Sequence, residues 1–213
     1  VALMGEMQEF LMDAGRTRRG GDGTDLISVL ANVEIDGETL TDDELLMFFN
    51  QLLVAGNETT TKLLAHAWYW AWNNPEERAK PFEDPARVSD WVEETLRYDT
   101  SSQMLARVTT TEVSYHGQTI PTGDRVLLLA GSANRDERAF PDPDRYLLGR
   151  DLGSSGIASF GVGRHFCLGA SLARLETQIV LEELVKRVKT YDIDADGARR
   201  VHSVNVRGFD LLP

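Results

Sequence analysis

Cys167 is the only cysteine in the 213-residue sequence, and it sits in Phe160-Gly161-Val162-Gly163-Arg164-His165-Phe166-Cys167-Leu168-Gly169, just ahead of a long amphipathic run. A thiol at a helix start is stabilised as thiolate by free backbone amides and the helix dipole, and the neighbouring Arg164 and His165 reinforce that effect. The glycines let the backbone turn sharply, or approach a flat and bulky group that a side chain would repel. Such a loop points to an anionic sulfur donor; the alternative for a lone cysteine is a buried structural residue. A single cysteine excludes an internal disulfide and any multi-cysteine zinc or iron–sulfur site in this chain.

A second polar group, Ala55-Gly56-Asn57-Glu58-Thr59-Thr60, interrupts an apolar run. Glycine inside a helix costs about 1 kcal/mol relative to alanine, and a buried carboxylate costs more unless it is paired. Either a function justifies both, or Thr59 bonds back to the preceding turn and Glu58 enters a structural pair. Glu94 and Arg97 stand three residues apart, the spacing of an ion pair on one helix. Arg107 opens a strand-like region and suits a carboxylate partner bidentately, with an exposed strand arginine as the alternative. His66, His116 and His202 lack metal-ligand spacing and read as structural or surface residues. Trp68, Trp70, Trp72 and Trp91 read as packing residues.

These groups need supports. Leu3, Met4, Met7, Phe10 and Leu11 follow helical spacing, with Gly15 placed to end that helix. Thr24 can cap a short helix, and Thr41-Asp42-Asp43-Glu44 fits a capping box at the start of a long one. From Leu45 to about Trp72 that helix is apolar on nearly every side, the pattern of a buried central element. Asp84-Pro85 opens another helix through Trp91, Val92 and Leu96. Between Ala106 and Ala130, β-branched runs broken at His116-Gly117 and Pro121-Thr122-Gly123 predict short antiparallel strands. Residues 131–166 lack periodicity, which in a compact domain predicts a functional stretch. A last helix runs from Ala170 to Val188, and short strands follow around Val201 to Val206 and Leu211 to Leu212.

Hydrophobic residues at 42% and charged residues at 26% suit a folded chain, and 213 residues suit one large domain or two small ones. With 34 acidic and 22 basic residues the net charge is -12, which repels the phosphates of nucleic acid and of anionic membranes. No apolar run reaches a membrane span, and the first ten residues lack the features of a signal peptide, so the chain reads as cytoplasmic.

Together the motifs resemble those of the cytochrome P450 heme-thiolate monooxygenases, in their soluble bacterial form. The ligand-loop pattern Phe-x-x-Gly-x-(His or Arg)-x-Cys-x-Gly matches at Phe160, Gly163, His165, Cys167 and Gly169. The distal-helix pattern (Ala/Gly)-Gly-x-(Asp/Glu)-Thr matches at Ala55, Gly56, Glu58 and Thr59, and Glu-x-x-Arg at Glu94 and Arg97. The resemblance implies a mostly α fold with small antiparallel β-sheets (α+β), the C-terminal portion of the cytochrome P450 fold. Residues 1–213 would be a single heme-binding portion whose N-terminal half is absent.

The same resemblance implies heme b (iron protoporphyrin IX) with Cys167 as the metal ligand, its electron-rich sulfur favouring O–O cleavage in dioxygen. Phe160 would shield the sulfur, His165 and Arg107 would reach the propionates, and Gly161, Gly163 and Gly169 would shape the loop. Ala55 and Gly56 would open a groove for dioxygen, Thr59 would hydrogen-bond it, and Glu58 would relay protons. Arg145 would join Glu94 and Arg97 in a buried triad. Leu52, Ser102, Met104, Asn205 and Val206 would line a pocket for a small apolar organic substrate. Electrons would come from NAD(P)H through a ferredoxin-type donor docking beside Arg164 and Arg174. The missing N-terminal half, a partner chain or self-association would cover residues 45 to 72. A second reading, a truncated non-catalytic heme-binding or interaction protein, keeps Cys167 equally.

Overall fold

The computed structural model describes residues 2–153 and 156–213. They divide into two compact units, residues 1–57 and 58–213. In the first, α1 (Ala2–Arg18) and α2 (Leu26–Asn32) precede a two-stranded hairpin, β1 (Glu34–Ile35) and β2 (Glu38–Thr39), and then α3 (Asp42–Asn73) begins. The capping box forms as its residues predict: the Glu44 amide donates to Thr41 Oγ1 at 3.3 Å, and the Thr41 amide donates to Glu44 Oε2 at 2.9 Å. Two local expectations are corrected. Asp25 rather than Thr24 caps α2, its carboxylate accepting from the Ser28 amide. Gly15 lies inside α1 rather than ending it, because a Cβ there would stand 2.9 Å from Leu45 Cδ2 and 3.3 Å from Phe49, so glycine permits the close approach of the two helices. Leu11, Ala31, Leu45 and Phe49 form this unit's core.

The helix α3 continues into the second unit, and its burial differs from expectation. Met47 and Val54 are each 71% exposed, and Ala55 to Glu58 are exposed as well. Burial on α3 falls on one face at Leu45 and Phe49 and then, past this exposed middle, at Leu63, His66, Ala67 and Ala71. The later turns pack with α4 (Pro75–Glu83), α5 (Val88–Tyr98) and α7 (Ala170–Arg187), the last numbered after a short α6 (Ala130–Ala133). Trp91, Val92, Leu96, Tyr146, Leu148 and Leu181 complete this core. The Trp91 indole N–H donates to the Ala67 carbonyl at 3.0 Å, so its burial leaves no orphan donor.

The strands form two-stranded antiparallel sheets, giving the expected mostly α architecture. β3 (Leu105–Val108) pairs with β6 (Arg125–Leu128), and β4 (Val113–Tyr115) with β5 (Gln118–Ile120). The turns at His116-Gly117 and Gly123 have positive φ, as their residues suggest. At the C-terminal end the strands are β7 (Arg199–Arg200) and β8 (Phe209–Leu211), not Val201 to Val206, which forms a loop whose Val206 bridges to Ser102. Within the irregular stretch 131–166, residues 154 and 155 lie outside the described residues.

Candidate functional site

Cys167 stands exposed three residues ahead of α7. The loop is held by its own backbone: the Cys167 amide donates to the Phe160 carbonyl at 2.9 Å, and the Ala170 amide donates to the Cys167 carbonyl at 3.2 Å. Gly161 and Gly163 both have φ of +69°, which only glycine adopts readily, and a Cβ on Gly163 would meet nothing within 4 Å. Their conformation, not crowding within this chain, is what requires them. Phe160 and Phe166 meet edge to face at 6.4 Å between centroids. Arg164 and His165 lie exposed in the 3-10 turn Gly163–His165. Arg174 is not a free cation: it pairs with Glu93 and lies 4.7 Å over the Phe160 ring.

Behind the loop lies the predicted ion pair, with one correction. All five donors of the buried Arg97 guanidinium are used: two go to Glu94, and one each to the carbonyls of Asn134, Pro143 and Arg145. The second guanidinium beside Glu94 is Arg150, whose Nε lies 3.4 Å from the carboxylate and whose side chain is 6% exposed. The Arg145 side chain is exposed and contributes only its carbonyl. Asp142, ahead of Arg145, and Gly149, ahead of Arg150, both have positive φ, and Arg150 also donates to the carbonyls of Pro141, Asp142 and Arg145. Burial of such a triad is tolerable because its hydrogen bonds are made.

The segment after α5 brings several expected pocket residues together. Ser102 pairs with Val206, the Gln103 amide donates to the Asn205 carbonyl at 2.8 Å, and the Arg207 amide donates to the Ser101 carbonyl at 2.8 Å. Ser101 Oγ in turn donates to the Thr59 carbonyl on α3 at 2.9 Å. Thr59, Ser102, Met104 and Val206 are half-buried, whereas Glu58 and Asn205 are exposed. Leu52, Ala55 and Gly56 belong to the first unit, Leu52 half-buried there and the other two exposed. Arg107 lies half-buried on β3, its Nη1 donating to the Ala106 carbonyl.

The single sequence did not single out Asp99. Its buried carboxylate accepts from Arg207 Nε at 2.6 Å, Trp70 Nε1 at 2.8 Å and Arg200 Nη1 at 3.4 Å. His66 completes the cluster, its Nδ1 2.6 Å from the Asp99 carbonyl and its Nε2 3.1 Å from Arg200 Nη1. A carbonyl only accepts and a guanidinium only donates, so His66 is neutral with its proton on Nδ1. Burial, outweighing the Asp99 charge, brings its pKa down from 6.5 to about 4.

The residues fit an iron porphyrin. Such a group brings its own ring nitrogens and needs one further soft donor from the protein, which Cys167 would offer. Beside the thiol, Val162, Phe166, Leu168 and Leu172 are between 53% and 81% exposed, an apolar surface suited to a flat macrocycle. Arg107 and His165 in the same unit can meet its carboxylates.

Comparison with known proteins supplies independent findings. The family described as Cytochrome P450 matches residues 88–197. A putative cytochrome P450 123 of Mycobacterium bovis is 49% identical over 208 residues, covering 98% of this chain and 52% of the relative. The cytochrome P450 monooxygenase PikC of Streptomyces venezuelae is 38% identical over 214 residues, covering 99% and 51%. The ligand-free structure of cytochrome P450 TbtJ1 superposes with a TM-score of 0.93 at 36% identity, covering 100% of this chain and 56% of that one. The chain thus spans about half the length of the curated relatives it matches.

Proposed function

Because this chain belongs to the cytochrome P450 family, we propose that it is the heme-thiolate part of a bacterial monooxygenase acting on an apolar organic substrate. The reaction inserts one atom of dioxygen into a substrate and reduces the other to water, drawing two electrons and two protons from outside. Bound heme would supply the dioxygen-activating iron. The observation that carries the reading is the exposed Cys167 in its glycine-shaped, apolar loop.

Each residue then has a defined task. Cys167 would hold the heme iron through its thiolate, and Phe160, which lies under Arg174, would shield the sulfur from water. Arg107 and His165 would hold the heme carboxylates. Thr59 would hold a proton at Oγ1, and the exposed Glu58 carboxylate would exchange protons with solvent and pass them inward. Ala55 and Gly56 would leave room beside their helix for dioxygen, and in the second unit Ser102, Met104, Asn205 and Val206 would bound the substrate. A ferredoxin-type partner delivers electrons from NAD(P)H.

The test supplies heme, a surrogate ferredoxin system and isotopically labelled dioxygen with a panel of apolar organic compounds. One labelled atom per product molecule supports monooxygenation. Two labelled atoms, or none, would overturn it.

A further inference from the structure

We infer that Asn134 is a positioning residue for the thiolate loop, linking the Glu94–Arg97 ion pair to residues 158–167 and so fixing where the Cys167 sulfur stands. Asn134 is completely buried, in the turn that follows α6, and every polar group it carries is engaged. Its carbonyl accepts from Arg97 Nη1 at 2.9 Å, and its amide donates to the Ala130 carbonyl at 3.0 Å. On the side chain, Oδ1 accepts from the Ala158 amide at 2.7 Å, while Nδ2 donates to Ser159 Oγ at 2.8 Å and, more weakly, toward the Leu96 carbonyl at 3.4 Å. A backbone amide can only donate, so the side-chain orientation is fixed by chemistry.

The link continues in both directions. Ser159 Oγ donates to the Leu96 carbonyl at 2.7 Å, tying the loop to the end of α5 directly beside Arg97. Ala158 accepts from the Gly161 amide, and Phe160 accepts from the Cys167 amide, both at 2.9 Å. A displacement of Ala158 and Ser159 is therefore handed to Phe160 and Cys167 through backbone hydrogen bonds. Asparagine suits the place: alanine leaves the Ala158 amide without its acceptor and takes one donor from Ser159 Oγ, which keeps its bond to Leu96, and aspartate keeps the acceptor but loses the donor.

The purpose of this arrangement rests on the heme-thiolate reading; its geometry does not, and the test separates the two. Amide exchange is measured on the cofactor-free 213-residue chain. In Asn134→Ala, residues 158–167 should exchange about tenfold faster while residues 177–184 of α7 change by less than about twofold, with Asn134→Asp falling between wild type and Asn134→Ala. Equal acceleration in both segments marks a merely structural residue and overturns the inference, as does no change at 158–167. Heme is then added and the ferrous carbon-monoxide spectrum recorded. Where wild type shows a thiolate-type Soret band, Asn134→Ala should lose part of it; a full band overturns the inference. Where wild type shows none, the heme-thiolate reading fails and the exchange data alone decide the role of Asn134.

Discussion

Arg97 grips Glu94 through two parallel hydrogen bonds, Nε to Oε2 and Nη2 to Oε1, both 2.8 Å long and both inside the protein. The pair is a buried bidentate one whose remaining donors hold the backbone of residues 134, 143 and 145. Glu94→Ala should therefore destabilise the chain by about 3–5 kcal/mol, since it strands a buried guanidinium. Arg145→Ala should stay within about 0.5 kcal/mol, because its side chain is exposed. Urea unfolding of the two variants checks the contrast; equal losses would restore Arg145 to the triad.

The neutral, buried His66 sets an acid limit on stability. Its pKa is about 4 when folded against 6.5 when exposed, so between those values the unfolded chain binds more protons than the folded one. Stability is then complete above about pH 6.5 and falls by ~3 kcal/mol as the pH drops through about 4. His66→Gln should flatten this part of the curve. Equilibrium unfolding from pH 7 to pH 4 measures it, and identical slopes in both proteins would show that other groups govern acid loss.

Thr59→Ala should leave heme affinity unchanged while lowering product formed per electron by about tenfold, the electrons appearing as peroxide. The Ser101 link to this position uses the Thr59 carbonyl, which the substitution preserves. Product and peroxide are measured against NAD(P)H consumed. Unaltered coupling would make Thr59 an ordinary helix residue.

Arg164 and Arg174 should separate in the electron-transfer step. Arg164→Glu should slow reduction by an acidic ferredoxin about tenfold at low salt and have little effect at high salt. Arg174→Glu also breaks the pair with Glu93 and the contact with Phe160, so it should lower thermal stability as well. Stopped-flow reduction and melting curves distinguish them. A salt-independent Arg164→Glu rate would move the docking face elsewhere.

What was legible in the sequence was local. The capping box at Thr41 and Glu44, the helix carrying Glu94 and Arg97, and the glycine-rich approach to Cys167 depend on residues within a few positions of one another. Arg150, Asn134 and Asp99 escaped because their partners are distant in sequence: Arg207 and Asp99 are 108 residues apart, and Asn134 and Ser159 are 25 apart. Nothing in a single sequence distinguishes Arg150 from Arg145, since which guanidinium faces inward depends on the path of the loop that carries both. The expected burial of α3 failed at Met47 and Val54 for a related reason, because apolar periodicity reports what a face can bury and not what lies against it.

Cys167 would ligate the heme iron as thiolate, and the ferrous carbon-monoxide spectrum of the heme-loaded chain tests this most directly. The account predicts the red-shifted Soret band of a thiolate ligand in wild type and its replacement by a shorter-wavelength, imidazole-type band in Cys167→His. A band that is the same in both proteins would contradict it.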